Sequence, residues 1–160
     1  MKKLFTLLAI VGLSLTAQAQ DITNTLGSGG KFLVQNNTGA TTLLSIDDAT
    51  GKIGMNNAIP NSTLSVTGSL SLSYNAGGNI TLNDTHYSYF ADNNATVTLP
   101  NAGSCSGRIY IIKALGSGGA TVNATSGDTI DGAGSTSLLQ YKYVMVQSGG
   151  GTNWWIIGQN

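Results

Sequence analysis

The stretch RIYIIKALGSGGATVNA, residues 108–124, decides the fold because it joins two β-type segments through a run of glycines. Isoleucine, tyrosine, valine and threonine dominate both ends of the stretch, which is typical of strands. The intervening GSGG can adopt positive φ without steric cost, as a tight turn requires. The sequence therefore predicts a β-hairpin over this stretch.

Segments of the same kind recur along the chain, separated by turn residues. They include KFLVQ, TTLLSI, KIGM, TLSVTG, ATVTLP and YKYVMVQ. Glycine, asparagine and proline lie between them at short intervals, and no segment beyond residue 20 keeps an apolar period of 3.6 residues. The sequence predicts an all-β protein.

Composition divides the chain into a thin part and a bulkier part. Residues 20–74 contain no tryptophan and one phenylalanine, in very short segments. This is too little apolar bulk for an independent core. Aromatic residues concentrate from about residue 78 onward. We expect a short, interlocked β stalk over residues 20–74 and a head over residues 75–160. The head is predicted to be a compact antiparallel β-sandwich or a prism-like fold, with the boundary at residues 75–78.

The N-terminal segment MKKLFTLLAIVGLSLTAQAQ has the pattern of a secretory signal. Two lysines precede an apolar run, and Ala17 and Ala19 form an A-x-A cleavage site. The apolar run is too short to span a bilayer comfortably. We expect residues 1–19 to be removed, the mature chain to be secreted or displayed at the cell surface, and no transmembrane segment in the mature chain.

Charge and cysteine content exclude several classes of protein. Charged residues make up only 9 % of the chain, and five basic residues face seven aspartates once Lys2 and Lys3 are removed. Such a chain has no basic footprint for nucleic acid. Cys105 is the single cysteine, so no internal disulfide can form. Oligomerisation is another way to stabilise an exported chain of this size.

Several predicted strands are apolar at every position. In RIYIIKAL and NWWIIG, alternate residues on both faces are large and hydrophobic. Successive side chains of a strand point to opposite faces, so Trp154 and Trp155 must lie on different faces. We expect one tryptophan in the core of the head and the other against a neighbouring strand or subunit.

Residues suited to acid–base or nucleophilic chemistry are scarce. The chain has one histidine, His86, and no glutamate, and Cys105 lies in no recognisable catalytic motif. We expect a protein that is not an enzyme and has no cofactor. Asp128 and Asp131 in GDTIDG are weak candidates for a calcium site. The favoured alternative is that they accept backbone hydrogen bonds in turns, and the same holds for Asp47 and Asp48.

Clustered aromatic residues suggest a carbohydrate platform, because tyrosine and tryptophan rings can stack on sugar rings. The alternation in YSY and YKY places each pair on one strand face, and core packing is the favoured alternative use. The candidate residues are Tyr87, Tyr89, Tyr141, Tyr143 and Trp155.

Residues 32–72 resemble the shaft modules of phage tail-fibre-like and trimeric adhesin-like secreted bacterial proteins. The resemblance is carried by a glycine step, a proline turn and an L-x-V-x-G-S segment. The matching residues are Gly51, Ile53, Gly54, Met55, Pro60, Leu64, Val66, Gly68 and Leu70. Residues 97–132 and VMVQSGGGTNWWII, residues 144–157, are similar to the C-terminal partner module of such chains.

The resemblance implies a homotrimer built as a fibre-like structural or adhesive protein. Its trimeric head would serve surface attachment, with a surface glycan or protein as a possible partner. The alternative is a secreted carbohydrate-binding module that uses the aromatic residues of the head.

Overall fold

The structure, a computed structural model, describes residues 25–160. The predicted signal at 1–19 lies outside the described residues. Fourteen strands, with turns and irregular loops between them, make up the described chain, and its one helical element is the 3₁₀ turn Ala102–Ser104. The all-β prediction is confirmed. No helix in the described part of the chain is long and apolar enough to cross a membrane.

The chain divides between Ser69 and Leu70 into two compact units. The sequence placed the division at residues 75–78, which lie largely within a strand of the second unit. The first unit contains one sheet in the order β1-β2-β3-β4, with β3 and β4 parallel and the other pairs antiparallel. Its strands are β1 (Lys31–Gln35), β2 (Thr42–Asp47), β3 (Lys52–Met55) and β4 (Leu64–Val66).

The second unit contains two sheets. The larger has the order β11-β14-β13-β9-β7-β5 and the smaller the order β12-β10-β8-β6. Their strands are β5 (Tyr74–Gly77), β6 (Ile80–Thr81), β7 (Ser88–Ala91), β8 (Ala95–Thr98), β9 (Ile109–Ala114), β10 (Ala120–Asn123), β11 (Thr129–Ile130), β12 (Ser135–Leu138), β13 (Tyr143–Ser148) and β14 (Asn153–Gln159).

From β5 to β10 the chain coils, because successive strands alternate between the two sheets. The strands β5, β7 and β9 are parallel neighbours in the larger sheet. The strands β6, β8 and β10 are parallel neighbours in the smaller sheet. The antiparallel strand pairs of this unit are β12 with β10 and β13 with β9 and β14. The second unit is thus two-layered as predicted, with mixed rather than uniformly antiparallel sheets.

The predicted hairpin over residues 108–124 is wrong. Its first segment, β9, pairs with β7 and β13, and its second, β10, pairs with β8 and β12. The GSGG run instead connects β9 in the larger sheet to β10 in the smaller sheet, and it passes over the turn that joins β7 to β8. A Cβ at Gly116 would overlap Asn93, and a Cβ at Gly119 (φ +72°) would overlap the Leu138 carbonyl. These glycines are needed for close passage of the backbone.

The hydrophobic core lies between the two sheets of the second unit. In both sheets, every second residue of the central strands is buried in this core, because successive side chains of a strand point to opposite faces of the sheet. The largest contributors are Leu82, Val97, Leu99, Tyr110, Ile112, Val122, Ile130, Val144, Val146 and Trp154. No described residue before Leu82 belongs to this core.

Candidate interaction surface

The two adjacent tryptophans lie on opposite faces of β14. Trp154 is completely buried, its indole N–H donates to the Pro100 carbonyl (3.2 Å), and its ring centroid lies 5.6 Å from that of Tyr110. Trp155 points away from the core and is 49 % exposed. The prediction that one tryptophan fills the core is confirmed for Trp154. Trp155 instead belongs to a surface.

That surface is the face of the larger sheet that points away from the core, here called the outer face. Strand pairing places its residues in rows: Ile109 and Trp155 on either side of Gln147, Ile111 beside Met145, and Phe90 and Tyr143 on either side of Lys113. Every member of these rows is half-buried or exposed. Its large hydrophobic residues are Tyr74, Phe90, Ile109, Ile111, Tyr143, Met145, Trp155 and Ile157.

Charge is nearly absent from the outer face. Lys113 is the one charged side chain in the rows given by the described strand pairs. Gln147 uses its amide to donate to the Gly107 carbonyl (3.2 Å). Tyr74 and Phe90 form an aromatic pair with centroids 5.6 Å apart. The outer face therefore combines aromatic and aliphatic groups with few polar groups that need water.

Trp155 is held in place by a glycine. A Cβ at Gly149 would overlap the indole nitrogen of Trp155, so the ring lies directly against this backbone. The Gly149 N–H donates to the Asn153 carbonyl (2.9 Å) within the turn that joins β13 to β14. The turn thus fixes one side of an exposed aromatic ring, which reduces the entropy lost when a partner binds.

The structure does not bring the five predicted sugar-stacking residues onto one surface. Tyr143 and Trp155 share the outer face, with one row, that of Met145 and Ile111, between them. Tyr89 is 3 % exposed and points into the core, where its hydroxyl donates to the Gly78 carbonyl (2.8 Å). Burial, with a smaller contribution from the charge of Asp92, raises the pKa of Tyr89. Tyr89 therefore packs in the core, which was the alternative use for these tyrosines.

The remaining two tyrosines lie outside the strands. Tyr87 is half-buried directly before β7. Tyr141 lies between β12 and β13 with φ +63° and is 62 % exposed. A non-glycine residue with positive φ is uncommon, so this exposed ring marks a constrained turn. Neither tyrosine belongs to the paired rows of the outer face.

Asp128 and Asp131 each bind backbone N–H groups. The buried carboxylate of Asp128 accepts from the Ala102 N–H (2.7 Å) and from the Asn101 side chain (3.3 Å). Asp131 accepts from the Ile156 N–H (3.1 Å). These bonds join distant segments rather than closing the local turn. Within residues 25–160, no group of three or more histidine, cysteine, aspartate or glutamate side chains could hold a metal ion.

His86 and Cys105 are each engaged in separate local hydrogen bonds. His86 Nδ1 contacts the Asn83 side chain (2.7 Å), inside its own turn. The Cys105 thiol donates to the Asn101 carbonyl (3.4 Å) and is buried. Neither bond positions a base beside a nucleophile, which is the geometry that covalent catalysis needs.

Sequence reasoning identified strands that are apolar on both faces, but it missed Tyr74 and Phe90 and could not show that these strands lie side by side in one sheet. The outer face draws on four strands through Tyr74, Phe90, Ile111 and Met145. Alternation along a strand shows only which of its own residues share a face. Which strands are neighbours is decided by pairing between distant segments. A second feature was also missed: a shallow groove of about 470 Å³ on the smaller sheet, lined by Asn79, Ile80, Thr81, Thr96 and Thr98.

No protein-family model matches the chain, and no curated protein sequence matches it. The fold and the outer face define a two-unit, all-β protein in which one sheet of the second unit has an apolar outer face.

Proposed function

We propose that this chain is an exported, non-enzymatic structural or adhesive protein that works as a fibre-like homotrimer. In this proposal the outer faces of the second units contact one another, and the assembled head serves attachment to a surface. The observation that carries the proposal is the outer face itself, an apolar sheet surface with one charged residue in its rows.

The chemistry of the outer face is that of a protein–protein contact. Interface cores are depleted in charge and enriched in aromatic residues and methionine. Tryptophan and tyrosine supply a large share of the binding energy at such contacts. Trp155 and Tyr143 lie on this face together with Met145 at its centre. Exposed apolar patches of this kind mark interaction sites on soluble proteins.

The number three rests on the resemblance to trimeric shaft and head modules. A three-fold assembly requires heterologous contacts, in which one part of a surface meets a different part on the next copy. The outer face can supply both parts, because Tyr74 and Phe90 lie toward the β5 edge and Trp155 and Ile157 lie on β14, toward the opposite edge. In a ring of three copies, the β5 side of one outer face would contact the β14 side of the outer face of the next copy.

A non-enzymatic role is supported by the way the reactive side chains are used. His86, Cys105 and Asp128 each take part in hydrogen bonds that hold loops or turns together. Export is supported by the signal pattern of residues 1–19.

Light scattering on the mature protein tests the assembly. We expect a mass near three chains for the wild type and at least tenfold weaker association for Ile111→Lys, which places a charge at the centre of the outer face. Thr121→Lys is the matched control, because Thr121 is also half-buried on a central strand but lies on the smaller sheet. A monomeric wild type, or equal effects of both variants, would contradict the proposal.

Carbohydrate binding remains the second candidate, favoured by the half-exposed ring of Trp155. A soluble neutral glycan that stacks on this ring should quench tryptophan fluorescence in a saturable way. The quench should disappear in Trp155→Ala and persist in Tyr141→Ala, where the ring lies outside the paired rows. Loss of the quench without any change in mass would favour this candidate over self-association.

A further inference from the structure

The smaller sheet of the second unit has a regular grid of hydroxyl and amide groups on the side that points away from the core. Its strands β8 and β10 alternate buried and half-buried residues, and the half-buried ones point outward. Strand pairing aligns the outward residues into two rows across the sheet. The rows are Thr96, Thr121 and Ser137, and Thr81, Thr98, Asn123 and Ser135. These seven side chains are here called the hydroxyl face.

The composition of the hydroxyl face is uniform. No charged or aromatic side chain lies in the rows given by these described strand pairs. Each side chain has a short polar group, and the threonines add a methyl group beside it. A pocket for a single small molecule is mostly apolar, with a few precisely placed polar groups. A repeated array of one kind of group is instead suited to a ligand that is itself periodic.

The side chains at the centre of the hydroxyl face are available to an external ligand. In the described chain, the hydrogen bonds of these residues use their backbone groups. The Thr96 N–H donates to the Asn79 side chain (2.7 Å). The carbonyls of Thr98 and Asn123 accept from backbone N–H groups at 2.9 and 2.8 Å. The shallow groove of about 470 Å³ includes Thr96 and Thr98 in its lining, so this side of the sheet is open to water.

The grid is fixed from beneath by the core. Ala95, Val97 and Val122, on the inward side of the same strands, are at most 2 % exposed. Neighbouring strands lie about 4.8 Å apart, and outward residues of one strand are about 6.7 Å apart. Because the face is only two residues deep, a twist of about 20° between strands displaces neighbouring hydroxyls by only about 1 Å. The hydroxyl face is therefore a small, nearly regular lattice.

The two spacings of this lattice are close to those of water oxygens in ice. Tetrahedral hydrogen bonds of about 2.75 Å place second-neighbour oxygens about 4.5 Å apart. The same hexagonal network repeats about every 7.3 Å along its principal axis. The grid differs from these repeats by less than about 10 % in each direction. Rotation of the hydroxyl groups can absorb this difference over a face of this size.

We propose that the hydroxyl face binds the surface of ice. Its hydroxyl and amide groups take the places of water molecules in the lattice, and the threonine methyl groups fill the space between them. No charge has to be desolvated when this face meets the crystal. The face belongs to the smaller sheet, whereas the outer face belongs to the larger one, so the inference does not depend on the proposed self-association. The predicted export would place this face where extracellular ice forms.

Ice-affinity partitioning of the full mature protein tests this inference. Half of a dilute solution is frozen slowly onto a cooled probe, and the protein in the ice and in the liquid is measured. We expect the wild type to be enriched in the ice at least fivefold relative to Thr98→Lys, which places a hydrated charge at the centre of the face. Thr85→Lys is the matched control, because Thr85 is exposed in the turn between β6 and β7. It should partition like the wild type.

Exclusion of the wild type from the ice would overturn the inference, as would equal partitioning of the wild type and a folded Thr98→Lys. If circular dichroism shows that Thr98→Lys is unfolded, Ser137→Lys provides the same comparison, because Ser137 is exposed on the edge strand β12. Exclusion from ice combined with retention on an insoluble neutral polysaccharide would assign the face to a glycan and overturn the inference. A monomeric wild type that is enriched in ice would overturn only the proposed homotrimer.

The growth of single ice crystals provides a second measurement. A protein held on the crystal surface makes growing crystals faceted and lowers their growth temperature below their melting temperature. We expect this temperature gap to be at least threefold smaller for Thr98→Lys than for the wild type, and unchanged for Thr85→Lys. Round crystals without a temperature gap in the wild-type protein would overturn the inference.

Discussion

Asp128 accepts a hydrogen bond of 2.7 Å from the backbone N–H of Ala102, and both residues are buried. Residue 102 begins the 3₁₀ turn that follows β8, whereas Asp128 directly precedes β11. The bond therefore joins two connections that are distant in sequence, and it satisfies a backbone donor that water cannot reach.

Removing this carboxylate should destabilise the second unit. Asp128→Ala leaves the Ala102 N–H without a partner, which costs about 1–3 kcal/mol for a buried group. Urea unfolding followed by tryptophan fluorescence measures the change. Asp131→Ala is the control, because its bond to the Ile156 N–H is exposed and should cost less. Melting temperatures that rise with added calcium in the wild type would contradict a purely structural role.

The two tryptophans should respond differently to truncation. Trp154→Ala empties a core site and should cost about 3–5 kcal/mol at any protein concentration. Trp155→Ala should leave the stability of the isolated unit nearly unchanged, but should weaken the dependence of the melting temperature on concentration. Melting curves at two concentrations distinguish the variants. Equal, concentration-independent losses of melting temperature for the two variants would show that Trp155 is not at a contact between copies.

A substitution at Gly149 should change the orientation of Trp155 on the outer face without altering the core. A side chain at Gly149 would overlap the indole of Trp155 and displace the ring. We expect Gly149→Ala to weaken association at least fivefold with near-wild-type circular dichroism. The control is Gly134→Ala, because a Cβ at Gly134 meets nothing within 4 Å. Unchanged association in Gly149→Ala would show that the ring orientation is not used.

Acid should destabilise the first unit through Asp47. The hydrogen bond from Lys31, together with its charge, lowers the pKa of Asp47 below its usual 3.8 despite the opposing effect of desolvation. A depressed pKa in the folded state means that the stabilisation is present above pH 3.8 and is lost as pH falls through the folded value. Hydrogen exchange of β1 and β2 between pH 5 and pH 2 measures the loss.

In Asp47→Asn this acid dependence should be smaller, because residue 47 no longer titrates. Asp48→Asn, which leaves the Lys31 ion pair intact, is the control and should retain the wild-type dependence. An Asp47 pKa at or above 3.8 by carbon-detected titration would contradict the predicted direction.

Local sequence was sufficient to predict the strands and the all-β class. Alternating β-branched and aromatic residues specify extended segments, and glycine or asparagine between them specifies turns. The adjacent tryptophans also required opposite environments, because the side-chain period of a strand is two. These properties depend on neighbours along the chain, so they can be inferred before any fold is known.

The tertiary structure alone decided which strands share a sheet. The glycines at 116–119 are compatible with a hairpin turn and with a crossing between sheets. Contact with Asn93 and Leu138, both distant in sequence, selects the crossing. Pairing likewise decides that Tyr89 faces the core while Tyr143 faces outward. It also aligns Phe32, Ile46, Ile53 and Leu64 into one row on the same face of the first unit's sheet. Strand partners are set by hydrogen bonds and packing between remote segments, and local propensity carries no information about them.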